Sequence, residues 1–128
     1  MKALYWKIRG IANSPSKLAL KRLILLHKPD FLFIAEPWMN FDNFPAIWLN
    51  RLGLKLFSCN VKENLLPNLW CFCSATLNHV VINKDDQQIS FSFDLDNHTF
   101  FMPVVYASAN NNKRKELWQN LTLLKKLI

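Results

Sequence analysis

Phe31-Leu-Phe-Ile-Ala-Glu-Pro37 decides how this chain folds. Five consecutive apolar residues leave no face for water, so Phe31–Ala35 reads as a strand in a sheet covered on both sides. The segment before it reads as a helix of about three to four turns. Ser14 is a candidate cap, Pro15 suits a first turn, and Leu18, Leu20, Leu23, Ile24 and His27 recur at helical spacing until Lys28, which precedes Pro29. Further back, Ala3–Ile8 is a short apolar and aromatic run, broken by Lys7 and ended by Arg9-Gly10, which reads as a first strand. Strand, helix and buried strand in that order form a β-α-β unit, expected to be parallel and right-handed. Parallel strands finish on the same sheet edge, so Lys7 and Arg9 come beside Glu36 although a whole helix separates them in sequence.

Downstream, Asp42 or Asn43 can start a second helix carrying Phe44, Ile47 and Trp48, with Gly53 as its left-handed terminator. Leu54–Cys59 reads as a strand. After a polar stretch around Lys62–Asn68, antiparallel strands are expected at Leu69–Ser74, Val80–Asn83, Gln88–Leu95 and Thr99–Tyr106, with turns at Lys84-Asp85-Asp86 and Asp96-Asn97. Asn110–Asn112 can cap a final helix in which Leu117, Leu121, Leu124 and Ile128 form one stripe. That pattern meets no stop signal before the last residue, which reads as a truncation.

With 128 residues, 51% of them apolar, and only two glycines, residues 1–128 read as one domain without a flexible linker. The net charge is +7, and residues 1–28 hold Lys2, Lys7, Arg9, Lys17, Lys21, Arg22 and Lys28 with no acid, so the whole excess is N-terminal. Such a segment favours polyanions, DNA among them, through counterion release, or else it is a solvated face. Cys59, Cys71 and Cys73 are odd in number and have no second C-x-x-C or ligand-spaced histidine, so they read as core thiols of a reducing compartment. No apolar run approaches the ~20 residues of a membrane helix, and the N-terminus has no uninterrupted apolar signal core. The expectation is an intracellular protein, nuclear or cytoplasmic, neither secreted nor in a membrane.

Three short segments carry the chemistry: Trp6-Lys-Ile-Arg-Gly10, Ile34-Ala-Glu36-Pro37 and Val104-Val-Tyr106-Ala-Ser, the last followed by Arg114 and Trp118. In order and spacing they resemble the endonuclease/exonuclease/phosphatase family with its DNase-I-like fold, and most closely the endonuclease domains of plant non-LTR (LINE-type) retrotransposons. The first is similar to that family's W-N-x-R-G strand, the second to its strand ending in S/Q-E-T, and the third to its Y-x-x-x…R-x-x-x-W. The resemblance extends over nearly all of the chain, including Asn68-Leu-Trp-Cys and Asp86-Gln-Gln-Ile-Ser-Phe.

What the resemblance implies is hydrolysis of a phosphodiester by a metal-activated water, with Glu36 holding Mg²⁺, Tyr106 holding the scissile phosphate, and Arg9 and Arg114 as candidate phosphate contacts. Taken alone, Glu36 is equally an exposed strand-end acid, Tyr106 a strand aromatic and Arg114 a solvated charge. Lys7 departs from the pattern, which has asparagine there. An ammonium only donates hydrogen bonds and is positive. At ~4 Å and an effective dielectric of 20, each unit-charge pair is worth about 4 kcal/mol, and a divalent ion doubles that repulsion. The family's G-D-x-N and S-D-H motifs do not occur. Asp94-Leu-Asp-Asn97-His98 mimics fragments of both but precedes the Tyr106 strand and reads as a hairpin turn. His27 and His79 form no ligand set, and the five tryptophans, scattered over different elements, read first as packing residues.

The resemblance therefore implies a partial four-layer α/β sandwich of about one sheet with its flanking helices. Its uncovered inner face would be apolar and open to self-association. The functional expectation is the N-terminal fragment of a Mg²⁺-dependent endonuclease domain of retrotransposon origin, inactive alone. The alternatives are a non-catalytic basic nucleic-acid binder and a relic without selected activity.

Overall fold

A computed structural model describes residues 1–60 and 65–127 of the chain. The strand that anchors it is β2, Phe31–Ala35, all five residues of which are buried. Alternate side chains of a strand point to opposite faces, and here each face meets its own core. Leu32 and Ile34 join Trp70 and Phe72 in packing against Leu20, Ile24, Phe44 and Leu49 on the helical side. Phe31, Phe33 and Ala35 join Leu69, Cys71 and Cys73 in facing Ile89, Phe91, Phe93 and Val104 of a second sheet.

The first sheet has the order β1-β2-β4-β3, formed by Ala3–Lys7, Phe31–Ala35, Leu69–Ser74 and Leu54–Cys59. The β1–β2 pair is parallel, as the β-α-β reading requires, and sets Lys7 opposite Ala35. Strands β5 (His79–Lys84), β6 (Gln88–Leu95) and β7 (His98–Val105) form an antiparallel second sheet. The sheets pack through aromatic rings, with Phe31 centred 5.2 Å from Phe91 and 4.9 Å from Phe93. Edge and tilted ring pairs at such separations add about 0.5–1.5 kcal/mol each beyond the area they bury.

The partial sandwich is present, and its strands divide between two sheets rather than gathering into about one. The inner face expected to lie exposed is the Phe31/Phe91 core, covered by the chain itself. Self-association through that face therefore loses its premise. The sequence missed this because Ile89, Phe91 and Phe93 alternate as any half-buried strand does, and alternation does not say what covers the apolar face.

Helix α1, Ser14–His27, is capped one residue earlier than expected: the Asn13 side chain accepts the Ser16 amide at 2.8 Å, and Pro15 sits in the first turn. Lys28 closes it in the left-handed conformation, and its N–H returns to the Ile24 carbonyl. The expected second helix is broken. Phe41–Asn43 makes a 3-10 turn, Phe44 is extended at φ −94° and ψ 130°, and α2 spans only Ile47–Arg51. The residue before a proline avoids helical geometry, and Pro45 follows Phe44. The turn Asp96-Asn97 has φ of 52° and 66°, the two left-handed residues of a type I′ hairpin. Helix α3, Asn111–Leu127, buries Leu117 and half-buries Leu121 and Leu124, while Ile128 lies outside the described residues. No described helix is long and apolar enough to cross a membrane.

Cys71 and Cys73 are buried and Cys59 half-buried, all as free thiols. Burial pushes Cys59 up to about 11 and raises Cys71 and Cys73 as well, so all three stay protonated and pack as small apolar groups.

Candidate functional site

Parallel pairing carries the β1 and β2 exits to one edge, and hydrogen bonds extend that pairing beyond the strands. Ile8 N–H donates to the Ala35 carbonyl at 3.0 Å, Gly10 N–H to Glu36 at 2.8 Å, and Ile11 N–H to Pro37 at 3.1 Å. The two exits are thus fastened residue against residue. Arg9, Glu36 and Trp38 all adopt positive φ, at 53°, 54° and 58°. Such strain in non-glycine residues persists only where the surroundings impose it, and it clusters at ligand sites. Gly10, at φ 102°, is required here: a Cβ on it would come 3.0 Å from the Trp38 ring.

The second sheet brings Tyr106 to the same place. Tyr106 follows β7, and its amide donates to the Gln87 carbonyl at 2.8 Å. From β1, Tyr5 donates its hydroxyl to the Val105 carbonyl at 3.0 Å, tying the sheets together one residue before the site. The Tyr106 hydroxyl then donates to Glu36 Oε1 at 2.6 Å across seventy residues of sequence. Lys7 Nζ stands 3.6 Å from the other oxygen, Glu36 Oε2, and 5.9 Å from the centre of the Tyr106 ring. Carboxylate, phenol and ammonium form one closed cluster. Burial and the hydrogen bond to Glu36 push the Tyr106 phenol up to about 12, so it is a neutral donor throughout the physiological range.

The sequence-derived site residues therefore divide. Lys7, Glu36 and Tyr106 meet. Arg9 is exposed on the strained turn, and its charge favours the ionised form of Tyr106 against the larger raising effects. Arg114 is held by its own loop, donating to the carbonyls of Ser108 at 3.1 Å and Ala109 at 2.9 Å and to the Asn111 side chain. Arg114 nevertheless lines an open groove of about 1150 Å³ together with Lys7, Lys84, Lys113, Tyr106 and Ser108.

Sequence reasoning missed the buried polar residues that hold this edge in shape. Asn60, 2% exposed, accepts the amides of Asn68 and Leu69 at 2.9 Å each and donates to the Asp86 carbonyl at 3.2 Å. Gln87 donates to the Lys113 carbonyl and accepts the Ser108 amide, both at 2.8 Å, fixing the loop between Tyr106 and α3. The available signal was Gln87-Gln88 at the head of an apolar strand, polar residues where packing alone would place hydrophobic ones. Trp38, read as a packing residue, is 61% exposed and stands beside Glu36, Asn68 and Tyr106 in a smaller cavity of about 400 Å³.

Mg²⁺ is held through one or two carboxylates, with water and phosphate oxygens completing its shell. The cluster supplies one carboxylate, one oxygen of which receives Tyr106 while the other faces an ammonium, and among the described residues no three His, Cys, Asp or Glu side chains gather. In this arrangement the residues present do not fit Mg²⁺, because neither oxygen of the one carboxylate is free to take it.

No protein-family model matches the chain, and no curated protein matches its sequence. Solved structures do match its shape. The endonuclease domain of TRAS1, a telomere-specific non-LTR retrotransposon, superposes with a TM-score of 0.67 over 98% of this chain and 53% of its own, at 9% identity. The human Nocturnin catalytic domain gives 0.66 over 94% and 58%, at 20% identity. The Neisseria 3′ phosphatase NExo, solved with a product DNA hairpin, gives 0.56 over 90% and 47%, at 17% identity. The fold is DNase-I-like. This chain spans about half the length of the structures it matches.

Proposed function

We propose that this chain is the N-terminal portion of a phosphodiester-cleaving endonuclease domain of LINE-type retrotransposon descent, and that by itself it does not cut. The observation that supports the reading best is the 2.6 Å bond between Tyr106 and Glu36, at the strand-exit edge where α/β sheets commonly place ligands. The order of the three motifs and the fold shared with a retrotransposon endonuclease domain point the same way. Inactivity follows from the site's chemistry. Metal-assisted hydrolysis needs an ion to generate the nucleophile and balance developing charge, and Glu36 is already paired with Lys7. Tyr106 would also have to leave Glu36 before its hydroxyl could donate to a phosphate oxygen. Purified chain incubated with supercoiled plasmid and Mg²⁺ is expected to leave the plasmid intact. Nicking that disappears on Glu36→Ala overturns the inactivity.

A second reading, a non-catalytic nucleic-acid binder, is favoured by the cations of the groove. Lys7, Lys84, Lys113 and Arg114 line it against Asp85 and Asp86; Lys113 is paired with Asp86 at 3.1 Å and Lys7 with Glu36 at 3.6 Å, which leaves Lys84 and Arg114 without an acidic partner among the described residues. In this reading DNA affinity falls steeply with salt. Lys84→Glu with Lys113→Glu weakens binding and reduces the logarithmic salt slope by about 1 for each phosphate that is no longer neutralised. DNA binding indifferent to both salt and charge reversal removes it.

A further inference from the structure

We propose that Lys7 is the resident cation of this site: its ammonium takes the charge-balancing place beside Glu36 that a divalent metal ion would need, and so excludes such ions. Glu36 Oε2 is buried and has no hydrogen-bond partner among the described residues, while Oε1 is taken by Tyr106. A buried carboxylate oxygen in that state calls for positive charge. Lys7 Nζ, 3.6 Å away, is the cation that answers it.

The position is not incidental. Lys7 ends β1 in register with Ala35, the residue before Glu36, so strand pairing itself delivers the ammonium to the carboxylate. The Tyr106 ring flanks it 5.9 Å away, within the range where an aromatic face attracts a cation. Lys7 remains 46% exposed against 19% for Glu36. The ammonium is thus the solvent-facing cap over an acid that lies beneath it. A metal ion arriving at Glu36 would have to displace this group, and Arg9 adds a second positive charge on the adjoining turn. Two cations cannot share one carboxylate of this burial without strong mutual repulsion.

The inference concerns the same site as the proposed function but does not depend on its being a nuclease, because cation binding is read without nucleic acid. The test is calorimetric titration of the full chain with MnCl₂, supported by the loss of the free Mn²⁺ paramagnetic resonance signal. The wild type is expected to show no binding that depends on Glu36. Lys7→Gln keeps much of the side chain's length, removes the charge, and is expected to bind Mn²⁺ at least tenfold more tightly than the wild type, with the gain abolished by Glu36→Gln. Wild-type binding that Glu36→Gln removes overturns the proposal. So does a Lys7→Gln protein that keeps the wild-type circular dichroism spectrum and gains nothing. Should Lys7→Gln fail to fold, Lys7→Met repeats the arm with an uncharged chain of similar volume, and the wild-type titration remains decisive by itself.

Discussion

At the scale of single residues, Tyr106 offers the clearest handle on the site, because its environment separates it from the only other tyrosine, Tyr5. Its phenol is raised from 10.0 to about 12 by burial and then by the bond to Glu36. A folded-state value above the unfolded one means the stabilisation is intact below pH 10.0 and is lost as pH rises toward about 12. In a Tyr5→Phe background, absorbance at the tyrosinate band should therefore titrate near the upper value, and Glu36→Gln should move the midpoint down toward that of free tyrosine. An unchanged midpoint would mean that burial alone sets the shift. Lys7, Glu36 and Tyr106 were legible as candidates through the family resemblance, since taken alone Glu36 reads equally as a strand-end acid and Tyr106 as a strand aromatic. Their mutual distances were not, and those distances turn three candidates into one ion-paired cluster. Asn60 and Gln87 were illegible for a different reason: a polar side chain becomes structural only when folding surrounds it with backbone groups to satisfy.

At the scale of elements, local chemistry dictates what the turns do. The β6–β7 hairpin, with Leu95 paired to His98, places Asp96 and Asn97 at φ 52° and 66°, which side chains with a Cβ adopt at a cost. Asn97→Gly removes that cost at the position where type I′ turns favour glycine, and should stabilise the protein by about 0.5 kcal/mol. Chemical denaturation checks it, and a lower midpoint contradicts the turn assignment. The same local rules explain the mistaken second helix. Periodicity of Phe44, Ile47 and Trp48 suits a helix, but Pro45 restrains Phe44 to extended geometry, and the segment splits into a 3-10 turn and α2. At the start of α1 the error was one of register only, since Asn13 and Ser14 are both good caps and the side chain that reaches the Ser16 amide is that of Asn13.

At the scale of the whole molecule, stability rests on the seam between the sheets. Phe91 is fully buried and meets Phe31, Phe33 and Phe57 with ring centres 5.0–6.0 Å away. Phe91→Ala should cost about 3–5 kcal/mol through lost burial and the cavity left behind. Domains are commonly stable by only about 5–15 kcal/mol, so denaturation of this variant should begin at markedly lower urea than for the wild type. A loss below about 1 kcal/mol would show that the sheets are not held together at that ring. By itself the sequence determined the β-α-β unit, the strand positions and the shared edge of Lys7 and Glu36, because periodicity, caps, prolines and parallel pairing act over short range. Only the tertiary structure decided that the later strands form a second sheet over the first. That packing brings Tyr106 across seventy residues to Glu36 and leaves Lys7 as the cation beside it. Which apolar face covers which is settled by the collective burial of the whole chain, and no local pattern records it.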